Sequence, residues 1–365
     1  MSGFGPDNLP YGVFSRSRGE RRLGVRLGSA VVDLSVLGGY LAASSLHPLM
    51  AAGRREWRAA REAVVAHVAS GPPLVPLRNV TLHLPFEVAD YTDFYSSEQH
   101  ARNVAEILRP DSPGLPAQWK HLPIGYHGRS ATVVVSGTPI RRPAGQLAEG
   151  VFGPTRRLDV EAEVGFVVGR PGRRIATTDF AEHVFGITLV NDWSARDLQA
   201  WEYHPLGPFL AKSFATSVSP WVVPLDALAT IPAVDQDPQP LDYLRPAGPG
   251  FDLRLRVEWN DTEVSRPPFA SMYWTAAQQL AHLTSNGASV RTGDLYASGT
   301  VSGPARDQAG SFLELTRNGA DPVKLADGTL RGYLENFDLV RIGGTARSAS
   351  GTEIALGSVS GTVVP

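Results

Sequence analysis

Cysteine is absent from this chain of 365 residues. Its absence excludes disulfide bonds and thiolate metal sites, so the fold depends on its hydrophobic core, and a bound metal would need oxygen or nitrogen ligands. Lysine is also scarce, with three lysines against 31 arginines. A lysine in an unusual context therefore indicates a need for its compact ammonium group.

An excess of charge of either sign is also lacking, since the formal net charge is −2. No basic stripe occurs, so electrostatics gives no reason to expect nucleic acid or an anionic membrane as a partner. No apolar run approaches the roughly 20 residues that span a bilayer. Residues 1–14 do not combine a basic segment with an apolar run, so no secretory signal is expected there. These features predict a cytoplasmic protein.

The length of the chain predicts about two domains. Residues 1–85 form a small β-rich module with a hairpin at 22–37 and a helix at 48–69, and residues 86–365 form a larger domain. The larger part is rich in short strands, glycine and proline, with a helix predicted at 275–283. This pattern predicts a mixed β (α+β) fold of sandwich or roll type. A doubly wound sheet is not expected, because strands and helices do not alternate regularly.

The segment 90–109 concentrates reactive side chains where extended chain changes to helix. Ser97 is a suitable N-cap, and the apolar spacing after it predicts a helix that ends at Arg109-Pro110. His100 falls in the first turn, where the helix dipole favours a neutral imidazole. Asp93 and Tyr95 lie upstream and share one face of the extended chain. A capped surface helix is the alternative interpretation.

Two glutamates lie two residues apart on the predicted strand 158–168. Glu161 and Glu163 therefore point to one face, about 6.6 Å apart. Simple alternation of polar and apolar faces would explain them, but the apolar run that follows predicts a strand buried on both faces. Two buried carboxylates then require a compensating cation. With Asp93 and with Asp192, which ends the apolar strand 185–190, they would supply four hard oxygen ligands suited to Ca²⁺ or Mg²⁺.

Three further polar residues lie in apolar or glycine-rich contexts. Lys212 lies in an apolar segment, where a snorkelling side chain is the alternative interpretation. Glu314 is predicted on a strand, SFLELT, which a hairpin turn at Asn318-Gly319 would end. Thr300 lies in a glycine-flanked turn where backbone groups could approach a ligand.

Several long motifs occur in a fixed order: DYTDFYSSEQH, LPIGYHGR, VVVSGTPIRRP, NDWSARD, WEY, PLGPFLAKSF and SPWVVP. They resemble the fumarylacetoacetase family, and the similarity extends over nearly the whole chain, including LPYGVF, MYWT, YASGT and GSFLEL. The resemblance implies a small SH3-like N-terminal domain, a large C-terminal mixed β-roll that forms a homodimer, and metal-dependent hydrolysis of a carbon–carbon bond in tyrosine and phenylalanine degradation.

The resemblance also implies a role for each matching residue. The metal ligands are Asp93, Glu161, Glu163 and Asp192, with a second cation position near Asp192, Lys212 and Thr216. Ala215 stands where the family usually has glycine. The catalytic set is His100 as base, Glu314 as its orienting partner, and Arg109, Gln199 and Lys212 as stabilisers of developing negative charge. The substrate-binding residues are Tyr95, Arg109, Tyr126, Gln199, Tyr203 and Thr300.

Two other functions remain as alternatives. An acylpyruvate-type hydrolase of the same superfamily would share the metal and the fold, although the combination of His100, Arg109, Gln199 and Tyr203 argues against it. A non-catalytic β module stabilised by Ca²⁺ would have the carboxylates without the histidine and basic residues. The N-terminal domain and the loop 145–157 look shorter than in the animal enzymes.

Overall fold

The structure, a computed structural model, describes residues 3–17, 19–108, 111 and 114–365. Arg109 and Pro110, where the sequence predicts the end of a helix, lie outside these residues. The role predicted for Arg109 therefore stays a prediction. The helices are α1 (His47–Ala51), α2 (Arg54–Ala69), α3 (Glu98–Leu108), α4 (Phe180–His183), α5 (Arg196–Glu202), α6 (Leu210–Ser213), α7 (Ala276–Thr284) and α8 (Phe312–Leu315).

The strands of the first half are β1 (Tyr11–Ser15), β2 (Arg22–Leu27), β3 (Ala30–Asp33), β4 (Leu74–Pro76), β5 (Thr81–His83), β6 (Tyr91–Phe94), β7 (Gly125–Gly128), β8 (Val133–Val135), β9 (Ile140–Arg141), β10 (Ala144–Ala148), β11 (Val151–Pro154), β12 (Leu158–Asp159) and β13 (Ala162–Val168). Those of the second half are β14 (Gly172–Arg173), β15 (Val184–Asp192), β16 (Ser194–Ala195), β17 (Thr216–Val218), β18 (Trp221–Pro224), β19 (Leu253–Trp259), β20 (Thr262–Ser265), β21 (Ser289–Val290), β22 (Leu295–Ala297), β23 (Val323–Lys324), β24 (Leu330–Arg331), β25 (Leu339–Arg347) and β26 (Glu353–Val364).

Thirteen of the described strands form one sheet, with a main path β4-β3-β2-β1-β18-β15-β13-β22-β6-β7. The sheet is continuous from the N-terminal strands into the strands that carry the carboxylates, because β1 pairs with β18. Five further strands form a second sheet in the order β20-β19-β25-β26-β9. Strand–helix alternation does not organise either sheet, so the predicted mixed β fold is confirmed.

The main sheet is covered on both faces. Along β13, Val164 and Phe166 belong to the core shared with the second sheet. Val167 faces the opposite way, into a core formed with the N-terminal strands and α1 and α2. Every residue of β13 is buried, which confirms the prediction of a strand enclosed on both faces. No helix within the described ranges is both long and apolar enough to cross a membrane.

Several local predictions are confirmed. Ser97 caps α3, since its hydroxyl accepts from the backbone N–H of His100 at 3.2 Å. The hairpin predicted at 22–37 is confirmed, since β2 and β3 pair around a turn at Gly28-Ser29. The helix predicted at 275–283 is α7. Thr275 and Gln278 form a capping box at its N-terminus.

Three local predictions are wrong. The helix predicted at 48–69 is two helices, because Gly53 adopts φ +87° between α1 and α2. The strand predicted at 158–168 is interrupted at residues 160–161, because β12 pairs with β16 whereas β13 joins the main sheet. Segment 312–315, predicted as a strand before a hairpin turn at Asn318-Gly319, is the helix α8.

Candidate active site and metal centre

Four carboxylates from three parts of the main sheet converge on one point. Asp93, Glu161, Glu163 and Asp192 each offer an oxygen within 4.8 Å of the others. Asp93 lies on β6, Glu163 on β13 and Asp192 at the end of β15. Glu161 precedes β13 in a bridge with Ser311. Because β13 pairs with both β15 and β22, and β22 with β6, the sheet itself fixes these positions.

The cluster is buried and incompletely hydrogen-bonded. Within the described part of the chain, both carboxylate oxygens of Glu163 and Oδ1 of Asp93 are buried without a hydrogen-bond partner. Buried polar atoms are rarely left unpaired, and hard oxygen ligands are what Ca²⁺ and Mg²⁺ require. The residues therefore fit a divalent cation, which would satisfy these oxygens.

Three of the four cluster carboxyls have raised pKa values. Burial raises the pKa of Glu163 well above its usual value, and the nearby Asp93 and Asp192 raise it further. Burial and Asp192 likewise raise the pKa of Asp93, and burial also raises that of Asp192 despite Lys212. Neighbouring negative charges and desolvation both disfavour the ionised forms.

Glu161 behaves in the opposite way because it is paired with cations. Burial alone would raise its pKa, but Lys212 and Arg196 outweigh burial and hold the pKa well below its usual value. The Lys212 ammonium donates to Glu161 and, at 2.8 Å, to Oδ2 of Asp192. Lys212 is 5% exposed, so the snorkelling interpretation is wrong.

Arg196 is a site residue that the sequence interpretation missed. It is buried and donates to Asp159 at 2.8 Å, to Glu161 at 2.7 Å and to Oε1 of Gln199 at 3.0 Å. Asp159 in turn accepts from the first backbone N–H groups of α8, at 2.8 and 3.1 Å. A polar SARD segment resembles a surface turn, so only its position directly after the buried strand that ends in Asp192 could have indicated this role.

His100 and Glu314 form a second group beside the cluster. Nδ1 of His100 lies 2.7 Å from Oε2 of Glu314, and the histidine and glutamate side chains are 5% and 1% exposed. Burial would raise the pKa of Glu314, but His100 and hydrogen bonds from Asn103 and Ser311 lower it below its usual value. Glu314 is thus an acceptor, which places the proton on Nδ1 and leaves Nε2 as the basic nitrogen.

The helix α8 explains how Glu314 reaches His100. The N-cap Ser311 accepts from the backbone N–H of Glu314 at 3.3 Å, and its hydroxyl donates to Oε2 at 2.7 Å. A strand, as the sequence predicts here, would have turned Glu314 to the face opposite its leucine neighbours. In the helix, Leu313, Glu314 and Leu315 are all buried.

The predicted substrate residues take different positions around these groups. The ring of Tyr95 packs edge-on against that of His100, with centroids 5.4 Å apart. The hydroxyl of Tyr126 donates to Asp192 at 3.1 Å. Tyr203 lies one helical turn after Gln199, and its N–H donates to the Gln199 carbonyl at 3.1 Å. The hydrogen bond from Arg196 occupies Oε1 of Gln199, so its amide nitrogen is the end that can donate to a ligand.

Thr300 has a buried hydroxyl with no hydrogen-bond partner among the residues described. Its neighbour Gly299 is needed for close packing, because it has φ +76° and an added Cβ would lie 2.1 Å from the carbonyl oxygen of Phe94. The backbone at Thr300 is thereby held against the segment that carries Asp93 and Tyr95.

The second cation position is defined by fewer contacts. The hydroxyl of Thr216 lies 3.3 Å from Oδ1 of Asp192. The pKa of Lys212 is raised because Asp192 and Glu161 outweigh the opposing effect of burial. An ammonium has no free lone pair, so Lys212 could contribute to such a position only through its backbone carbonyl. His127 is exposed and near Asp90, 3.6 Å away, and does not belong to the carboxylate cluster.

This fold and site are those of a known family of hydrolases. The model described as "Fumarylacetoacetate (FAA) hydrolase C-terminal" matches residues 90–346. The model described as "Fumarylacetoacetase N-terminal" matches residues 7–85. The chain therefore belongs to the fumarylacetoacetase family.

Full-length relatives are similar over the whole chain. Fumarylacetoacetase from Homo sapiens is 43% identical over 407 residues, covering 100% of this chain and 97% of the relative. Fumarylacetoacetase from Arabidopsis thaliana is 39% identical, covering 100% and 96%.

Solved structures show the same fold at lower identity. A fumarylacetoacetate hydrolase from Exiguobacterium antarcticum aligns with a TM-score of 0.62 at 18% identity, covering 98% of this chain and 99% of the other. Maleylpyruvate hydrolase from Sphingobium sp. SYK-6, in complex with manganese(II) and pyruvate, aligns with a TM-score of 0.58 at 17% identity, covering 98% and 100%.

Proposed function

We propose that this protein hydrolyses the carbon–carbon bond of 4-fumarylacetoacetate to give fumarate and acetoacetate, the last step of tyrosine and phenylalanine degradation. The observation that carries the proposal is the buried carboxylate cluster beside the His100–Glu314 pair, in a chain about 40% identical over its full length to fumarylacetoacetases. Breaking this bond requires an activated water and stabilisation of the departing carbanion as an enolate.

His100 acts as the general base in this proposal. Its Nε2 takes a proton from water while Glu314 holds Nδ1–H, and the water oxygen adds to the carbonyl beside the scissile bond. When the tetrahedral adduct collapses, the carbon–carbon bond breaks and its electron pair leaves with the acetoacetate fragment as an enolate. The imidazolium then gives this proton to the enolate carbon, which yields acetoacetate, while the oxygen of the water stays in the new carboxyl group of fumarate.

Asp93, Glu161, Glu163 and Asp192 would hold a divalent cation, which we propose is Ca²⁺ or Mg²⁺. A cation held there supplies Lewis-acid stabilisation of negative charge on a carbonyl or enolate oxygen. The manganese(II) in the related maleylpyruvate hydrolase supports divalent-cation binding by this fold. A second cation near Asp192, Lys212 and Thr216 is part of the same proposal.

The remaining groups stabilise and position the substrate. Arg109, Gln199 and Lys212 donate toward the oxyanion that forms during the addition, and loss of one such donor typically lowers the rate by about 10²–10³. Tyr95, Tyr126, Tyr203 and Thr300 line the substrate. The burial of Lys212 supports its assignment, and that of Thr300 is supported by its buried hydroxyl, which has no hydrogen-bond partner among the described residues.

The fall in fumarylacetoacetate absorbance on adding purified protein tests the proposal. We expect rapid loss in the presence of Ca²⁺ or Mg²⁺, production of fumarate and acetoacetate, and arrest by a chelator that added cation reverses. Absence of loss with the cation restored would contradict the proposal. An acylpyruvate tested in parallel would then show whether the related chemistry operates instead.

We also propose a homodimer formed through the larger domain. Large apolar side chains are exposed on the hairpin β10–β11 and after α5: Phe152, Leu206 and Phe209 are 75%, 97% and 62% exposed. Such patches commonly mark protein–protein surfaces. Light scattering should give the mass of a dimer, which Leu206→Asp combined with Phe209→Asp should reduce. The matched control Leu330→Asp, at another exposed position, should leave it unchanged.

Two further expectations from the sequence remain proposals. A division into domains 1–85 and 86–365 is supported by the separate N- and C-terminal family models, and limited proteolysis tests it. A cytoplasmic location is tested by fractionating cells that express the tagged protein.

A further inference from the structure

The carboxylate that orients His100 has four side-chain hydrogen bonds. Its Oε2 accepts from His100 at 2.7 Å, from Ser302 at 3.0 Å and from Ser311 at 2.7 Å. Its Oε1 accepts from Nδ2 of Asn103 at 2.8 Å. Among the described residues, Asn103 is thus the side-chain donor to Oε1. It follows His100 by three residues, on the same face of α3.

We propose that Asn103 is a positioning residue for the general base, acting through Glu314. This inference rests on the proposed function, because it assigns a role in the same proton transfer. The helix α3 supplies both the imidazole and the amide, and the two hold opposite oxygens of one carboxylate. The arrangement fixes the rotation of the carboxylate, which in turn fixes the imidazole ring and its Nδ1–H tautomer.

Asn103 and Glu314 both border a surface cavity. Asn103 and Glu314 line a cavity of about 200 Å³ together with Glu106, Ile107, Arg306 and Arg317. Because the amide donates to Oε1 at 2.8 Å, it takes a hydrogen-bonding position that water in this cavity could otherwise use. Loss of the amide would let water compete for the carboxylate and loosen its orientation toward His100.

The charged groups around Glu314 define the expected pH response. His100 is hydrogen-bonded to Glu314, and Asp159 accepts from the first backbone N–H groups of α8. The other charged groups border the same cavity as Glu314: Glu106, Arg306 and Arg317. A carboxylate in place of the Asn103 amide would add a negative charge beside Oε1. That charge would favour protonation of both Glu314 and His100.

The test compares Asn103→Leu, Asn103→Asp and the control Arg102→Leu with the unmodified protein. Leucine is close to asparagine in shape and has no donor, whereas Arg102 is the exposed preceding residue of the same helix, paired with Glu98. We expect Asn103→Leu to lower kcat by about 10- to 100-fold with little change in KM. We expect Asn103→Asp to move the acid limb of the kcat/KM profile to higher pH by roughly one unit. Arg102→Leu should do neither.

A second measurement does not depend on turnover. The hydrogen-bonded Nδ1–H of His100, observed by NMR on ¹⁵N-labelled protein, should shift or broaden in both Asn103 variants and stay unchanged in Arg102→Leu. Unchanged kcat, pH profile and imidazole signal in the Asn103 variants would overturn the inference. Failure of the unmodified protein to cleave fumarylacetoacetate, with the imidazole signal still dependent on Asn103, would overturn the proposed function alone.

Discussion

Replacing Glu163 by glutamine should nearly abolish the stabilisation of the protein by a divalent cation. Neither carboxylate oxygen of Glu163 has a hydrogen-bond partner outside the cluster in the described structure, so the change breaks no hydrogen bond to the surrounding core. It removes one of the four carboxyl ligands that converge within 4.8 Å. The effect of the substitution should therefore lie in cation binding and not in the packing of the core.

The size of the effect follows from linkage between binding and folding. A cation at 100 times its Kd stabilises the folded state by about 2.7 kcal/mol. With an unfolding entropy of about 2.1 cal/mol/K per residue, the 365-residue chain has roughly 0.77 kcal/mol/K, so Tm should rise by about 3.5 °C. If the substitution weakens binding about 100-fold, the same concentration gives about 0.4 kcal/mol, which is a rise of about 0.5 °C.

Differential scanning fluorimetry with chelator and with a Ca²⁺ or Mg²⁺ titration measures both quantities. The matched control is Asp294→Asn, because Asp294 is also a buried carboxylate whose pKa burial raises, yet it lies outside the cluster. The control should retain the Tm rise of the unmodified protein. A Glu163→Gln protein that keeps the full rise would refute the four-carboxylate centre.

Three further outcomes are expected. His100→Gln should lower kcat/KM by about 10²–10⁴-fold while leaving the cation-dependent Tm rise intact. A normal rate would show that His100 is not the general base. In the presence of chelator, Tm should fall as pH rises from 5 to 8. Three cluster carboxyls have raised pKa values in the folded protein, so the folded state binds protons that the unfolded chain loses above about pH 4. Added cation should reduce this fall, and a Tm that rises across that range would contradict the expected direction of the pH dependence. Gly299→Ala should destabilise the protein in urea unfolding by roughly 3 kcal/mol or more, because of the contact with Phe94, whereas Gly351→Ala, at φ +86° in open space, should cost only about 1 kcal/mol.

The parts of the site that the sequence predicts are those with a local signal. Ser97 caps its helix through the next turn, and the apolar run after Glu163 indicates burial within a few residues. Lys212 is visible because a lone lysine contrasts with its apolar surroundings. In each case the signal lies in neighbouring residues, although the partners of Lys212, Glu161 and Asp192, are 51 and 20 positions away.

The parts that escaped prediction depend on contacts between distant segments. Arg196 looks like a surface arginine until Asp159 and Glu161 are brought to it. Asn103 looks like an ordinary helix residue, because its partner Glu314 is 211 positions away. The helix α8 has four residues, which is too short for helical periodicity to be distinguished from the alternation of a strand.

The pairing of β1 with β18 has a consequence for how the chain folds during synthesis. Tyr11 pairs with Val222, and Gly12 with Trp221. Of the three strands that pair with β1, namely β2, β5 and β18, the last is therefore synthesised more than 200 residues after β1. Contacts of such long sequence separation slow folding and prolong the exposure of apolar edges. Substitutions that disturb this seam should therefore reduce the yield of folded protein from cells more than they reduce the activity of the molecules that do fold.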